Sequence, residues 1–343
     1  MAGDLVLLTG ATGYLGYLTL VQLLRSGYQV RATARSQSKI AKVEAAPTFK
    51  ALHGSVEWIV VPDMTADGAY DEAVKGVKYI IHVASPIPTF GGEPIPADKL
   101  EDYFLGQAPK GELGILESAH RAGTVKRIVV TSSVVAITPF DYYLGQGDYS
   151  VDITAENRIP DVKGPFDFEF QAYSAGKAAA LNAADAWMAS HDPNFDLIAV
   201  IPGWIFGRDE LITDVESFTK GSTNSVLAGL LLGGKNEMPY NGNSVQGEDV
   251  AKIQVLSLDP KVKGNQSFIA SADFKWETAI GVLKKSFAQQ VADGKLSVEG
   301  KQPTLAIKHP NKNTEEVFGF KFAPFEKVVE AVAKQYLELE AQA

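Results

Sequence analysis

The sequence predicts an α/β fold: a doubly wound parallel sheet followed by a smaller, mostly helical C-terminal lobe. Short apolar runs alternate with helical patterns over the first half of the chain, as in a sheet with helical crossovers. The first apolar run leads directly into three glycines, Gly10, Gly13 and Gly16, which are separated by two residues each. Beyond residue 207 the alternation weakens, and the chain ends in an amphipathic pattern over 325–339.

The amino-acid composition excludes several classes of function. The chain has 343 residues, of which 45% are hydrophobic, enough for one large core and a smaller lobe. A formal charge of −9 argues against a nucleic-acid partner. The absence of cysteine excludes disulfides, thiolate metal sites and a cysteine nucleophile, and it fits a cytoplasmic protein. No two of the five histidines stand four residues apart, so no metal site is expected. No apolar run is long enough for a membrane helix.

The glycine triplet predicts a phosphate-binding turn between a strand over 5–9 and a helix over Tyr14–Arg25. Gly10 can make the sharp turn, Gly13 allows close approach of a ligand, and Gly16 allows the helix to pack on the strand. Unpaired N–H groups at the helix start suit a pyrophosphate. The expected contacts include Thr12, Tyr14 and Leu15. The alternative is a glycine-rich turn without a ligand, since the spacing differs from Gly-x-Gly-x-x-Gly.

The end of the second predicted strand, over 29–35, is basic. Arg35 stands where an NAD-binding chain usually has an acidic residue, and Lys39 follows one helical turn later. A guanidinium pairs with a 2′-phosphate, whereas a carboxylate would repel it. The pattern therefore predicts NADP(H), with Arg31 on the same strand face as a possible helper. The alternative is a solvated basic cluster.

Further strands are predicted over 56–61, 79–86 and 127–133, with a helix over 98–122 between the last two. Ligands bind at the carboxyl ends of such strands, so a Rossmann-type cleft would collect Asp63, Ser85 and Ser133. Asp63 could contact the adenine or could equally cap a turn.

Tyr173 and Lys177 lie four residues apart at the start of a predicted helix, on one face. A nearby ammonium lowers the pKa of a tyrosine, which can then exchange a proton with a carbonyl or alcohol oxygen. Ser133 can hold the same oxygen by a hydrogen bond. The order of glycine triplet, strand-end serine and Tyr-x-x-x-Lys is more specific than any one of these motifs.

These motifs resemble the extended short-chain dehydrogenases/reductases. The likeness is greatest to fungal aldehyde and ketone reductases of the methylglyoxal/isovaleraldehyde type and to plant dihydroflavonol reductases. The resemblance implies that Ser133, Tyr173 and Lys177 are catalytic and that the backbone after Pro202 meets the nicotinamide carboxamide. The remaining cofactor contacts expected from it are Met64, Ala84, Pro86, Thr131, Gly203, Trp204 and Ile205.

One departure concerns the helix over 98–122. The family often has an asparagine there, which links the lysine to a water relay, and our alignment puts Lys110 in its place. Either the relay is built differently or the register is shifted by a few residues.

The resemblance also organises the chain. We expect a dinucleotide-binding domain over 1–205, with 248–272 returning to it, and a substrate lobe formed by 206–247 and 273–343. Apolar side chains around the reacting carbonyl should form the substrate pocket: Ile87, Phe90, Val134, Phe170 and Trp204.

The sequence thus favours an NADPH-dependent reductase of a neutral, small-molecule aldehyde or ketone, active as a monomer or homodimer. Tyr173 would donate the proton and the product would be a chiral alcohol. The alternatives are a nucleotide-sugar epimerase or dehydratase of the same fold and a non-catalytic dinucleotide-binding protein.

Overall fold

The computed structural model describes residues 3–52 and 56–342, so His53, one of the five histidines, lies outside the described residues. Seven parallel strands form the main sheet. In chain order they are β1 (Leu5–Thr9), β2 (Gln29–Ala34), β3 (Val56–Val60), β4 (Tyr79–His82), β5 (Arg127–Thr131), β6 (Asp196–Pro202) and β10 (Gln266–Ala270). Their order across the sheet is β10-β6-β5-β4-β1-β2-β3.

The strand order reverses between β1 and β4. From β1 the chain moves outward through β2 and β3, then crosses back to β4 on the other side of β1. A crevice therefore opens at the carboxyl ends of β1 and β4, which is where open parallel sheets bind their ligands. The prediction of a doubly wound parallel sheet is confirmed.

Helices cover both faces of the sheet, because the strands are apolar on both sides. On one face α1 (Tyr14–Arg25) packs on α9 (Gly247–Leu256), and on the other α4 (Gln107–Ala122) packs on α6 (Glu169–His191). Alternate residues of β1 pack into the hydrophobic cores on the two faces of the sheet. Leu7 faces α4 and α6, while Val6 and Leu8 face α1 and α9.

The last part of the chain builds a smaller, largely helical layer with its own core around the fully buried Trp276. Two small sheets join it to the main sheet: β7 (Trp204–Phe206), β9 (Asn243–Gln246) and β11 (Ala272–Asp273) form one, and β8 (Tyr240–Asn241) and β12 (Thr304–Leu305) form the other. The other helices of the described chain are α2 (Gln37–Ala45), α3 (Pro47–Ala51), α5 (Phe140–Tyr143), α7 (Val215–Phe218), α8 (Thr223–Leu231), α10 (Thr278–Ser286), α11 (Ala288–Ala292), α12 (Lys312–Phe318) and α13 (Phe325–Glu340).

Two strands end earlier than the sequence predicts. The predicted strand over 79–86 stops at His82, because the Thr9 hydroxyl accepts the backbone N–H groups of Val83 and Ala84 at 3.1 and 3.2 Å. The predicted strand over 127–133 stops at Thr131, and Ser133 begins a short 3₁₀ turn. The residues that follow both strands line the crevice.

The helix predicted over 98–122 is interrupted. A 3₁₀ turn covers Ala97–Lys99, a π-helical turn covers Asp102–Gly106, and regular α-helix begins only at Gln107. Pro109 lies in the first turn of α4 and cannot donate a hydrogen bond to Leu105, so the register shifts there. In the part of the chain that the structure describes, no helix is long and apolar enough to cross a membrane.

Candidate functional site

One cleft of about 720 Å³ lies over the carboxyl ends of the central strands. Apart from Arg31 and Lys110, every residue that the sequence singles out for cofactor, chemistry or substrate lines it. They come from the glycine turn (Gly10, Thr12, Gly13, Tyr14, Leu15, Gly16), the ends of β2 and β3 (Arg35, Lys39, Asp63, Met64), the segment after β4 (Ala84, Ser85, Pro86, Ile87, Phe90), the end of β5 (Thr131, Ser133, Val134), α6 (Phe170, Tyr173, Lys177) and the end of β6 (Pro202, Gly203, Trp204, Ile205).

The glycine turn is built for a close ligand. Gly10 has a φ of +70°, and a Cβ there would lie 2.8 Å from the backbone nitrogen of Ala84. A Cβ on Gly16 would lie 2.0 Å from the carbonyl oxygen of Gly10, so only glycine lets α1 begin this close to β1. Gly13 precedes the helix with no side-chain cap, which leaves the first N–H groups of α1 available to an anion. The residues present therefore fit a pyrophosphate.

Three cations stand at the end of β2 around the mouth of the cleft. Arg35, Lys39 and Lys42 are exposed, and within 3–52 and 56–342 none of them has an ion pair or hydrogen-bond partner. Lys42 was not singled out from the sequence, although its position three residues after Lys39 places it on the same helical face. Such a group of unpaired cations suits a phosphate.

The expectation that Arg31 assists Arg35 is wrong. Its guanidinium donates to the carbonyl oxygens of Ala73 and Lys75 at 2.9 and 2.6 Å and pairs with Glu57 at 2.9 Å. Arg31 and Glu57 are directly opposite each other on β2 and β3, so the cross-strand pair holds the guanidinium away from the cleft.

Asp63 lines the cleft and also caps a turn. One of its carboxylate oxygens accepts both the backbone N–H and the hydroxyl of Thr65, at 2.8 and 2.7 Å. These two hydrogen bonds lower the pKa of Asp63. The turn-capping interpretation of this residue is therefore the one that the structure shows, while its second oxygen makes no hydrogen bond to a described residue.

Ser133, Tyr173 and Lys177 come together where β5 meets α6. The Lys177 ammonium donates to the Thr131 carbonyl oxygen at 2.8 Å and to the Ser85 hydroxyl at 3.3 Å. Burial raises the pKa of Tyr173, and the neighbouring Ser133 hydroxyl opposes this rise without cancelling it. The upward direction runs against the expectation that Lys177 lowers the pKa of Tyr173.

Aromatic side chains form the wall around Tyr173. Phe104 packs edge-on against the Tyr173 ring at 5.9 Å, and Phe90 faces Trp204 at 6.3 Å. Phe90 adopts a φ of 45°, which is rare for a side chain of this size, and its carbonyl oxygen accepts hydrogen bonds from Gly221 and Ser225. Glu169, at the start of α6, binds the Thr89 backbone and hydroxyl and so ties the same segment to the helix of Tyr173.

Sequence reasoning missed several residues that line the cleft: Lys42, Tyr103, Gln107, Asp209, Thr223 and Asn241. Burial raises the pKa of Asp209 to about 6. Asp209 and Asn241 reach the cleft through the packing of the smaller layer, and no local pattern signals them.

Lys110 does not stand beside Lys177. Its side chain is exposed, and its charge is a lesser cause of the lowered pKa of Asp63, after the two hydrogen bonds from Thr65. Glu112, two residues later on α4, is buried instead.

Comparison with known proteins agrees with this geometry. The model of the NAD dependent epimerase/dehydratase family matches residues 6–268. The ketoreductase CTB6 of Cercospora beticola is 40% identical over 354 residues, covering 99% of this chain and 96% of that protein. Aldehyde reductase 2 of Sporidiobolus salmonicolor is 31% identical, covering 83% of this chain and 82% of that protein. The crystal structure of yeast methylglyoxal/isovaleraldehyde reductase complexed with NADPH superposes with a TM-score of 0.82 at 23% identity, covering 99% and 100% of the two chains.

The sheet and its cleft define a protein of the Rossmann-fold class. The chain belongs to the NAD-dependent epimerase/dehydratase family. The curated relatives described above are named for the reduction of ketones and aldehydes. The resemblance inferred from the sequence motifs is confirmed.

Proposed function

We propose that this protein is an NADPH-dependent carbonyl reductase that converts a neutral aldehyde or ketone into a chiral alcohol. The observation that carries the proposal is the meeting of Ser133, Tyr173 and Lys177 in the same cleft as the glycine turn. The relatives named as ketoreductase and aldehyde reductase support this reaction class.

Tyr173 is the proton donor in this proposal. Its raised pKa keeps the phenol protonated at neutral pH, which is the form needed to give a proton to a carbonyl oxygen. Ser133 donates a hydrogen bond to the same oxygen and polarises the carbonyl. The aromatic wall formed by Phe90, Phe170 and Trp204 excludes water and favours an alkyl or aryl body without charge.

In this proposal, groups of this chain bind both the pyrophosphate and the 2′-phosphate of NADPH. The start of α1 would hold the pyrophosphate, and Arg35, Lys39 and Lys42 would hold a 2′-phosphate. Lys177 would hold the nicotinamide ribose through its ammonium, at the place where it now donates to Ser85. When bound, NADPH supplies the hydride that reaches the carbonyl carbon.

The basic end of β2 also distinguishes an NADPH-dependent reductase from a nucleotide-sugar epimerase or dehydratase. A nucleotide-sugar epimerase or dehydratase retains NAD, and an acidic residue would then be expected where Arg35 stands. A non-catalytic dinucleotide-binding protein would have no need to keep the Tyr173 hydroxyl beside Ser133. The site therefore favours reduction with NADPH.

The test is replacement of the phenol. Tyr173→Phe should lower turnover of a neutral ketone by about 10²- to 10⁴-fold, the usual contribution of a general acid. NADPH binding, followed by fluorescence, should stay nearly unchanged. The matched control is Tyr142→Phe, which removes a buried hydroxyl bound to Asp148 outside the cleft and should leave turnover intact. Full activity in Tyr173→Phe would refute the proposed mechanism.

A further inference from the structure

The loop over 86–96, which follows β4 and carries the cleft-lining Phe90, has few hydrogen bonds of its own. It contains no helix or strand, and its four prolines have no backbone N–H to donate. Among the described residues, three of its backbone N–H groups donate a hydrogen bond. That of Gly92 donates to the Thr89 carbonyl oxygen at 3.0 Å, and those of Thr89 and Ile95 donate to a side chain outside the loop. The conformation of the loop therefore depends on that side chain.

The side chain that holds the loop is Glu169, in the first turn of α6. One carboxylate oxygen accepts the backbone N–H of Thr89 at 2.8 Å, and the other accepts that of Ile95 at 2.8 Å. The Thr89 hydroxyl donates to the same carboxylate at 3.0 Å. This carboxylate clamp closes the base of the loop. Tyr173 lies four residues further along α6, so the clamp and the proposed proton donor share one face of the helix.

The tip of the loop is held in a strained conformation. Phe90 has a φ of 45°, and such strain persists only where the surrounding contacts fix the backbone. Its carbonyl oxygen accepts hydrogen bonds from the Gly221 backbone N–H at 3.0 Å and from the Ser225 hydroxyl at 3.1 Å, both in the smaller layer. Its ring meets the Trp204 ring edge-on, 6.3 Å between centroids, on the wall of the cleft.

We propose that Glu169 is a positioning residue that limits the size of the carbonyl substituent admitted to the cleft, by holding Phe90 against Trp204. The inference deepens the proposed function and rests on it. With the clamp in place, the Phe90 ring narrows the cleft and restricts the side on which a bulky substituent can lie, which also selects the enantiomer formed. Without the clamp, the backbone at Phe90 should relax and the wall should be lost.

The test compares a small aldehyde with a bulky aryl ketone. Glu169→Gln keeps the shape of the side chain, but its amide nitrogen would face a backbone N–H, so one anchor of the loop is lost. The ratio of kcat/KM for the small over the bulky substrate should fall about tenfold, as for loss of one apolar contact, because KM for the bulky ketone falls. The enantiomeric excess of the alcohol should fall as well. An unchanged ratio and an unchanged excess would overturn the proposal.

A second substitution shows whether Glu169 acts through Phe90. Phe90→Ala removes the wall directly and should lower the same ratio. In the double variant Glu169→Gln should add nothing further, since two changes that abolish one contact are not additive. Additive effects would show that Glu169 acts elsewhere and would overturn the proposal. The control is Asp167→Asn, an exposed acid just before α6 and outside the cleft, which should leave the ratio unchanged.

Hydrogen exchange tests the clamp without turnover. The amides of Thr89 and Ile95 should be protected in the wild type and should exchange about tenfold faster or more in Glu169→Gln, as expected for loss of a charged hydrogen bond. Equal exchange in the two proteins would overturn the proposal. Wild-type protein that reduces no carbonyl compound would contradict the proposed function, and with it the role in substrate selection, whereas faster exchange in Glu169→Gln would still demonstrate the clamp.

Discussion

The Lys177 ammonium donates a hydrogen bond to the Thr131 carbonyl oxygen across 2.8 Å. This contact joins α6 to the last residue of β5, two positions before Ser133. It explains how two distant segments bring their functional groups together: the strand fixes Ser133, the helix fixes Tyr173, and the buried lysine links them. Thr131 is held in turn by Gln254, whose amide donates to its hydroxyl at 2.7 Å.

The first prediction concerns cofactor choice. Arg35→Asp removes an unpaired cation from the mouth of the cleft and adds a negative charge. We expect the dissociation constant for NADPH to rise by about 10- to 100-fold, the range for loss of a charged hydrogen bond, and that for NADH to change little. Fluorescence titration with both cofactors measures this. The control is Arg25→Asp, the same change at an exposed position outside the cleft. Equal losses for the two cofactors would exclude Arg35 from the 2′-phosphate site.

The second prediction concerns pH. Since burial raises the pKa of Tyr173 above its ordinary value, the phenol stays protonated through neutral pH. Ketone reduction uses this form and should be flat across neutral pH. Alcohol oxidation needs the tyrosinate, so its rate should climb without a plateau up to about pH 10, the ordinary pKa of tyrosine. Initial rates in both directions test this. A plateau of the oxidation rate near neutral pH would show that the tyrosine ionises there.

The third prediction concerns the glycine turn. Gly16→Ala places a Cβ 2.0 Å from the carbonyl oxygen of Gly10, and the turn must shift to admit it. We expect a loss of about 2 kcal/mol or more in the free energy of unfolding, as in overpacked cores. A Cβ at Gly13 meets nothing nearer than 3.6 Å, so Gly13→Ala should fold normally and lose only cofactor affinity. Urea unfolding of the two variants compares them. Equal stability would show that Gly16 is not needed for packing.

Local patterns predict those parts of the fold that depend on local forces. The helix over Tyr14–Arg25 and the strand over Leu5–Thr9 have the bounds that the sequence predicts, because their apolar patterns are unbroken. The strand predicted over 79–86 is too long because the hydroxyl of Thr9, 74 and 75 residues away, accepts the backbone N–H groups of Val83 and Ala84. No local pattern in the sequence predicts a hydrogen bond between residues so far apart in the chain.

The same limit applies to the site. The residues lining the cleft are predictable because strand ends of a parallel sheet converge. The direction of a side chain is less predictable from the sequence. Arg31 turns to Glu57 on the next strand, and Lys110 turns to solvent. The pKa of Tyr173 depends on burial by segments such as Phe104, which only the folded chain brings there.

The most direct test of the proposed function is oxidation of NADPH by the purified protein, followed by absorbance with neutral aldehydes, aryl ketones and β-keto esters, with NADH in parallel. The proposal predicts turnover of at least one of these classes, faster with NADPH, and an alcohol enriched in one enantiomer. Tight binding of NADPH with no oxidation by any of these carbonyl compounds would contradict it.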